Sequence, residues 1–118
     1  MKLVTAIIRE TQLDMVRESL IENQITRITI SRVSGHGQQK SEEVYRGQRV
    51  VPNLIPKIKL EIAVNDDYVE KTVNTIIKAT KSLEDRSTDG QIGDGKIFIT
   101  NLEDVIRIRT EERGPDAI

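Results

Sequence analysis

The 118-residue sequence contains no cysteine and no tryptophan, and its only aromatic residues are two tyrosines and one phenylalanine. Without cysteine the chain can build neither a disulfide framework nor a thiolate site. So few aromatic side chains argue against the stacking of single-stranded nucleic acid. Eighteen basic and nineteen acidic residues give a net charge of −1, which provides no field to attract nucleic acid or an anionic membrane. The composition therefore predicts a protein that does not bind nucleic acid.

Long apolar runs are missing as well. The apolar stretch at residues 3–8 is too short for a signal peptide, and no other stretch approaches the length of a membrane span. The chain length is that of a single domain with a modest core. We therefore expect one cytoplasmic domain, residues 1–118, with no direct insertion into a membrane.

Hydrophobic periodicity in the first third of the chain indicates a strand, a helix and a second strand. Residues 3–8 are apolar and predict a strand. Thr11 followed by Asp14 resembles a capping box and predicts a helix that ends near residue 23. The β-branched run at residues 25–33 predicts the second strand, with Thr29, Ser31 and Val33 on the face opposite Ile28 and Ile30.

The same order recurs after a long interval. Residues 58–64 alternate strictly between apolar and other side chains, Asn65 with two aspartates predicts a helix N-cap, and a helical apolar stripe then continues to about residue 81. Residues 96–99 and 105–108 predict further strands. This order predicts an α+β, ferredoxin-like βαββαβ sandwich with both helices on one sheet face. The other face carries small and β-branched residues, and we expect an oligomer to bury it.

Two segments have no periodicity. Residues 34–56 are polar and glycine-containing over most of their length, which predicts a long protruding loop of the functional kind. Residues 82–94 are charged and predict a second extended loop, which leads directly into a glycine-rich turn.

That turn, Gly-Gln-Ile-Gly-Asp-Gly-Lys-Ile-Phe at residues 90–98, has the composition of an anion site. Closely spaced glycines let backbone N–H groups converge, and Lys96 adds a cation where the next strand begins. Arg107 and Arg109 alternate in the last predicted strand and would share one face. This pattern fits a polyphosphate cradle, but such a turn is more often a plain hairpin turn and such arginines are more often solvated, and Walker A spacing is absent.

These segments resemble the PII nitrogen-regulatory proteins. The turn followed by Val-Ile-Arg-Ile-Arg-Thr is similar to that family's C-terminal signature, Tyr-Arg-Gly followed by Leu-Ile-Pro-Lys-Ile-Lys-Leu-Glu is similar to its other signature, and Met-Lys-Leu-Val-Thr-Ala-Ile-Ile-Arg fits its start. The resemblance spans nearly the whole chain. It implies a homotrimeric sensor of ATP, ADP and 2-oxoglutarate that acts by docking onto other proteins and is not an enzyme.

The resemblance also implies site residues. The predicted nucleotide-binding residues are Thr29, Gly35, Gly37, Gln38, Gly93, Asp94, Gly95, Lys96, Arg107 and Arg109, the two arginines reaching across from a neighbouring subunit. Gln39 and Lys57 match the 2-oxoglutarate positions, with Gln39 as a ligand to Mg²⁺ shared with ATP. Tyr45, Arg46 and Gly47 would contact a partner, an ammonium transporter or an enzyme of nitrogen metabolism, through the loop at residues 34–56.

Four features depart from the family pattern. Val50 occupies the place of the tyrosine that many bacterial members modify, Gln38 and Gln91 replace an arginine and a lysine, and residues 81–89 contain an insertion. Each lost cation forfeits a charge-assisted hydrogen bond of about 1.5–3 kcal/mol if the site is buried. We expect the binding of ATP to be weakened more than the binding of ADP or AMP, unless Arg86 of the insertion restores a cation or the insertion covers the site.

Three alternatives stay open. The chain could be a divergent sensor of AMP, ADP or another carbon metabolite, a slow ATPase that uses Asp94, or a structural or metal-tolerance trimer of the same fold.

His36 is the only histidine. A single imidazole without carboxylates at ligand spacing is a poor metal site and a poor catalytic base.

Overall fold

The computed structural model describes residues 1–36, 43–45, 48–50, 54–81 and 95–118, with the backbone alone for residues 43–45 and 48–50. The strands of these residues are β1 (Lys2–Arg9), β2 (Thr29–Gly35), β3 (Glu43–Tyr45), β4 (Gln48–Val50), β5 (Ile55–Val64) and β6 (Lys96–Asn101), and the helices are α1 (Leu13–Glu22) and α2 (Val69–Thr80). Short 3-10 turns precede both helices, at Glu10–Gln12 and Asp66–Tyr68, and a third lies at Gly114–Ala117.

Four strands form one antiparallel sheet in the order β2-β5-β1-β6. β1 lies inside the sheet and pairs with β5 along its whole length, while β2 and β6 are the two edge strands. With one helix after β1 and one after β5, this is the predicted ferredoxin-like βαββαβ sandwich. The two strands that enter or leave the predicted nucleotide loops therefore lie at opposite edges of the sheet.

The core lies between one sheet face and the two helices. Alternate residues of β1 and β5 point into it and meet a stripe from each helix, as the period-2 and helical patterns predict. Its fully buried side chains include Val4, Ile8, Ile58, Leu60 and Ile62 from the sheet and Val16, Leu20 and Ile76 from the helices. Burying each such side chain is worth about 1.5–3 kcal/mol, so this layer dominates the stability of the sheet.

The start of α1 differs from the prediction. Thr11 lies inside the 3-10 turn instead of at an N-cap, and α1 has no side-chain cap, so the predicted capping box of Thr11 with Asp14 is wrong. The side chain of Gln12 stabilises this turn instead. Its Oε1 accepts a hydrogen bond from the Arg9 N–H at 2.9 Å, and its Nε2 donates to the Thr80 carbonyl at 2.6 Å. The turn before α1 is thereby joined to the end of α2.

Asn65 occupies the N-cap position of the 3-10 turn before α2, as predicted, but its side chain does not cap the turn. Its Nδ2 donates to the Pro115 carbonyl at 3.2 Å. Asp66 instead binds the α-amino group of Met1 at 2.7 Å. The chain's first residue and its last turn are both tied to the entrance of α2.

The predicted last strand, residues 105–108, is not a strand of the sheet. The chain folds back on itself as a hairpin of residues 104–114, which we call the arm. Backbone hydrogen bonds close it, from Gly114 N to Val105 O (2.9 Å) and from Arg107 N to Glu112 O (3.0 Å). Asp104 Oδ1 accepts hydrogen bonds from the N–H groups of Val105 (2.8 Å) and Gly114 (3.1 Å). These two bonds hold the base of the arm together.

The predicted loop at residues 34–56 contains strand structure that the sequence pattern did not indicate. β2 extends to Gly35 and β5 begins at Ile55, so both strands continue into it. Between them, β3 and β4 pair in antiparallel fashion, with Tyr45 opposite Gln48. Each of these strands has only three residues, which is too short for an alternation of apolar and polar side chains to indicate a strand.

Candidate functional site

The sheet face opposite the helices, here the open face, carries the candidate site. The strand registers place Thr5 and Ile7 of β1 on this face, with Thr29, Ser31 and Val33 of β2, Lys57, Lys59, Glu61 and Ala63 of β5, and Lys96, Phe98 and Thr100 of β6. The predicted small and β-branched residues lie on this face, but charged side chains of β5 and β6 lie among them. Phe98 lies opposite Thr5 and is 53% exposed, so an aromatic ring stands uncovered on this face.

One group of predicted site residues lies where β2 ends and where β5 and β6 begin. We call Gly35, Lys57, Gly95 and Lys96 the loop-side half-site. Gly35 pairs with Ile55, Lys57 is opposite Arg9 and Lys96 is opposite Ile7. These registers separate the backbones of the two lysines by two strands and two residues, about 12 Å. A hollow of about 480 Å³ at this end is lined by Thr5, Ile7, Val33, Ser34, Gly35, Lys57, Lys59 and Phe98.

Gly95 is the residue in this group at which any side chain would be strained. Its φ is +121°, and a Cβ built on it would lie 2.0 Å from the carbonyl oxygen of Ile7. The backbone that enters β6 therefore runs directly against β1, which agrees with the predicted need for glycine in this turn. Gly35 has open space around it, with no heavy atom within 4 Å of a built Cβ.

The loop-side half-site is cationic. Within the residues that the structure describes, neither Lys57 nor Lys96 has an ion-pair partner, whereas Lys59 lies 3.6 Å from Glu61. Both lysines lie near the beginning of their strands, Lys96 as the first residue of β6 and Lys57 as the third residue of β5. Two unpaired ammonium groups at one end of a sheet face favour the binding of an anion.

The second group, which we call the arm-side half-site, consists of Thr29, Arg107 and Arg109. Thr29 begins β2, six residues from Gly35, so the two ends of this strand are about 20 Å apart. A hollow of about 470 Å³ joins Thr29 to the base of the arm and is lined by Leu3, Arg27, Ile28, Thr29, Glu61, Ala63, Val105, Ala117 and Ile118. Thr29 thus lies with the arm and not with Gly35.

The two arginines of the arm differ in their surroundings. Arg107 is partly buried, and its guanidinium contacts Glu112 Oε1 at 3.3 Å and donates to the Asp116 carbonyl at 3.4 Å. Arg109 is exposed in the turn of the arm and has no partner among the described residues. The prediction that both share one strand face is wrong, because the segment is a hairpin turned on itself.

Several predicted site residues lie outside the described residues. These are Gly37, Gln38, Gln39, Arg46, Gly47, Gly93 and Asp94, together with Gln91, Arg86 and the rest of the insertion. For Tyr45 and Val50 the backbone alone is described, as part of β3 and β4. The nucleotide, Mg²⁺ and partner roles predicted for these residues remain predictions.

Glu112 and Asp104 were missed as residues that shape the site. Glu112 lies across the arm from Arg107, a contact that nothing in the local sequence around it indicates. Gly114, which has a φ of +76°, was the available signal for a chain reversal after the arginines. His36 is exposed, and the described part of the chain holds no cluster of three potential metal ligands.

No helix in the described residues is both long and apolar enough to cross a membrane.

The sequence model of the family described as "Nitrogen regulatory protein P-II" matches residues 1–112. The whole chain is 48% identical to nitrogen regulatory protein GlnK1 of Methanosarcina mazei, covering 97% of that protein. It is 44% identical to nitrogen regulatory protein P-II of Bradyrhizobium diazoefficiens and 45% identical to nitrogen regulatory protein P-II 1 of Escherichia coli, in both cases over the full length of both chains. These similarities extend across both half-sites.

Proposed function

Since this chain belongs to the nitrogen regulatory protein P-II family, we propose that it is a homotrimeric sensor that binds adenine nucleotides, ATP or ADP, between its subunits. The loop-side half-site of one subunit would hold the phosphates together with residues 93 and 94. The arm-side half-site of a neighbour would bring Arg107 and Arg109 to the outer phosphates. The nucleotide would then act as a link between subunits.

The separation of the two half-sites is the observation that carries this proposal. Lys57 and Lys96 lie at one end of the open face, and the base of the arm lies at the other end beside Thr29, which is about 20 Å from Gly35 along the same strand. A single subunit cannot close both halves around one ligand. A second copy, with its own arm directed at the first copy's Lys96, completes the site. The uncovered face with Phe98 supports the same assembly.

We also propose that 2-oxoglutarate binds beside the nucleotide. Lys57 is an unpaired cation within the described residues and would hold the distal carboxylate. Gln39 would supply an amide oxygen to an Mg²⁺ ion, a hard cation that prefers oxygen ligands and keeps bound phosphates in place. The ion would bridge nucleotide and keto acid, so binding of the two would be coupled.

The regulatory output would pass through residues 34–56. We propose that bound nucleotide selects among arrangements of this segment, and that Tyr45, Arg46 and Gly47 contact an ammonium transporter or an enzyme of nitrogen metabolism in one of them. The curated relatives are named regulatory proteins. We accordingly expect phosphate release from ATP to stay at background, and Asp94→Asn to leave it there.

Calorimetry with ATP and ADP tests nucleotide binding directly. Lys96→Ala and Arg107→Ala should each reduce affinity at least tenfold, because each removes a charge-assisted contact worth about 1.5–3 kcal/mol. Lys78→Ala, on the exposed side of α2, is the matched control and should bind as the wild type does. Unchanged affinity in both site variants would contradict the proposed site, and absence of binding by the wild type would contradict nucleotide sensing itself.

A further inference from the structure

We propose that Glu112 is a specificity-determining residue of the nucleotide site, because its carboxylate occupies Arg107 until a phosphate tail displaces it. The inference rests on the proposed nucleotide function and adds to it a reason why the number of phosphates matters. It assigns a role to an acidic residue that lies inside a phosphate-binding arm.

The arm holds this pair in place. Arg107 N donates to Glu112 O at 3.0 Å, so the two residues face each other across the hairpin. Their side chains meet at 3.3 Å between guanidinium Nη1 and Oε1, with 30% of the arginine and 44% of the glutamate side chain exposed. Asp104 clasps the base of the hairpin through Val105 and Gly114. The hairpin therefore keeps Glu112 beside Arg107, whatever position the arm takes.

The pair must open, or become crowded, when a phosphate arrives. A phosphate that takes the Nη1 face of Arg107 replaces the Glu112 carboxylate. A phosphate that shares the guanidinium brings a second anion within a few ångström of that carboxylate, where like charges repel. Arg109 has no partner among the described residues, so a phosphate that binds Arg109 displaces no anion from it.

Glu112 therefore penalises a ligand in proportion to the charge that the ligand brings to the arm. ATP carries more charge to Arg107 than ADP does, and AMP leaves the outer phosphate positions empty. Removing the Glu112 charge should consequently help ATP most and AMP least. A purely structural role for Glu112 would affect the three nucleotides in the same proportion.

Glutamine is the substitution that separates these roles. Glu112→Gln keeps the length of the side chain and an acceptor oxygen for Arg107, but it removes the charge. Glu112→Ala removes the acceptor as well, while Arg107 keeps its hydrogen bond to the Asp116 carbonyl. Glu111→Gln is the matched control, since it removes an equal charge from the arm at a side chain with no partner in the described structure.

We expect calorimetry to show ATP binding to Glu112→Gln about two- to fivefold more tightly than to the wild type, the range that an exposed ion pair allows. ADP should gain less, and AMP should be unchanged. Glu112→Ala should also bind ATP more tightly. Glu111→Gln should show a smaller gain than Glu112→Gln, and circular dichroism should show all three variants folded.

Equal or weaker ATP binding by Glu112→Gln, relative to Glu111→Gln, would overturn the proposal. So would a loss of ATP affinity confined to Glu112→Ala, which would make Glu112 a support for Arg107 instead of a competitor. A wild type that binds no adenine nucleotide would overturn the proposed function and this role together. Binding that is lost in Arg107→Ala but indifferent to Glu112 would overturn this role alone.

Discussion

At the scale of single residues, Gly95 fixes how closely β6 enters the sheet beside β1. The sequence indicated that the glycine-rich turn is important. It did not indicate that a carbonyl oxygen from the far end of the sequence leaves no room for a side chain at Gly95. The Ile7 carbonyl lies where a side chain would begin. A contact between residues so distant along the chain cannot be predicted from local composition, because it depends on the register between two strands.

Gly95→Ala should therefore destabilise the protein by on the order of 3 kcal/mol, since it combines a disfavoured φ with a backbone overlap. Denaturation in urea, followed by circular dichroism, measures the loss. Gly35→Ala is the matched control, because its added methyl group meets no atom within 4 Å, and its stability should stay close to that of the wild type. Equal stability of both variants would show that β6 can move away from β1 at no cost.

At the scale of secondary-structure elements, periodicity predicted the sheet and both helices where apolar side chains recur. β5 is the clearest case, because alternate residues from Ile58 onward are buried as the pattern indicates. The arm is the clearest failure. Residues 105–108 alternate like a strand, but alternation reports only that successive side chains point to opposite sides, not that a neighbouring strand is there to pair with.

The turn before α2 provides a prediction on pH. The α-amino group of Met1 lies 2.7 Å from Asp66 and holds the pKa of that carboxyl below its ordinary value of 3.8. Since the pKa is lower in the folded state, the pair stabilises the protein above pH 3.8 and its contribution is lost as the pH falls through the folded value. Acid should therefore weaken the link between the first residue and α2.

Asp66→Asn should lower the melting temperature near neutral pH, and its difference from the wild type should shrink as the pH is lowered below 3.8. Thermal unfolding at a series of pH values measures this. Asp67→Asn is the matched control, because the neighbouring carboxylate has no ion-pair partner among the described residues. A difference for Asp66→Asn that persists unchanged into acid would mean that the ion pair contributes nothing.

At the scale of the whole molecule, the sequence supplied most of the residue types of the candidate site but not their distribution. Gly95, Lys96, Arg107 and Arg109 are close in sequence, and the pattern suggested one cradle. β6 divides them, because it separates Gly95 and Lys96 from the arm by the length of a strand. The chain reversal that then places the arginines depends on pairings such as that of Arg107 with Glu112, which the alternation of residues 105–108 does not record.

Phe98→Asp tests whether the open face is an interface. Burial of this half-exposed ring against other copies would be lost and replaced by a desolvated charge, so the variant should dissociate into folded monomers. Light scattering after size-exclusion chromatography gives the mass, and circular dichroism checks the fold. Met15→Asp, on a similarly exposed residue of α1, should keep the oligomeric state of the wild type. A trimeric Phe98→Asp would place the interface elsewhere.

The division of the site between the two ends of one sheet face also has a genetic consequence. In the proposed ring, every subunit serves two ligands, one through its lysines and another through its arm. A single subunit that is defective at both ends would disable both pockets to which it contributes, even when the other subunits are intact. In the proposed trimer such a copy would disable two of the three pockets, whereas one that loses Arg107 alone would silence only one pocket for each defective copy incorporated.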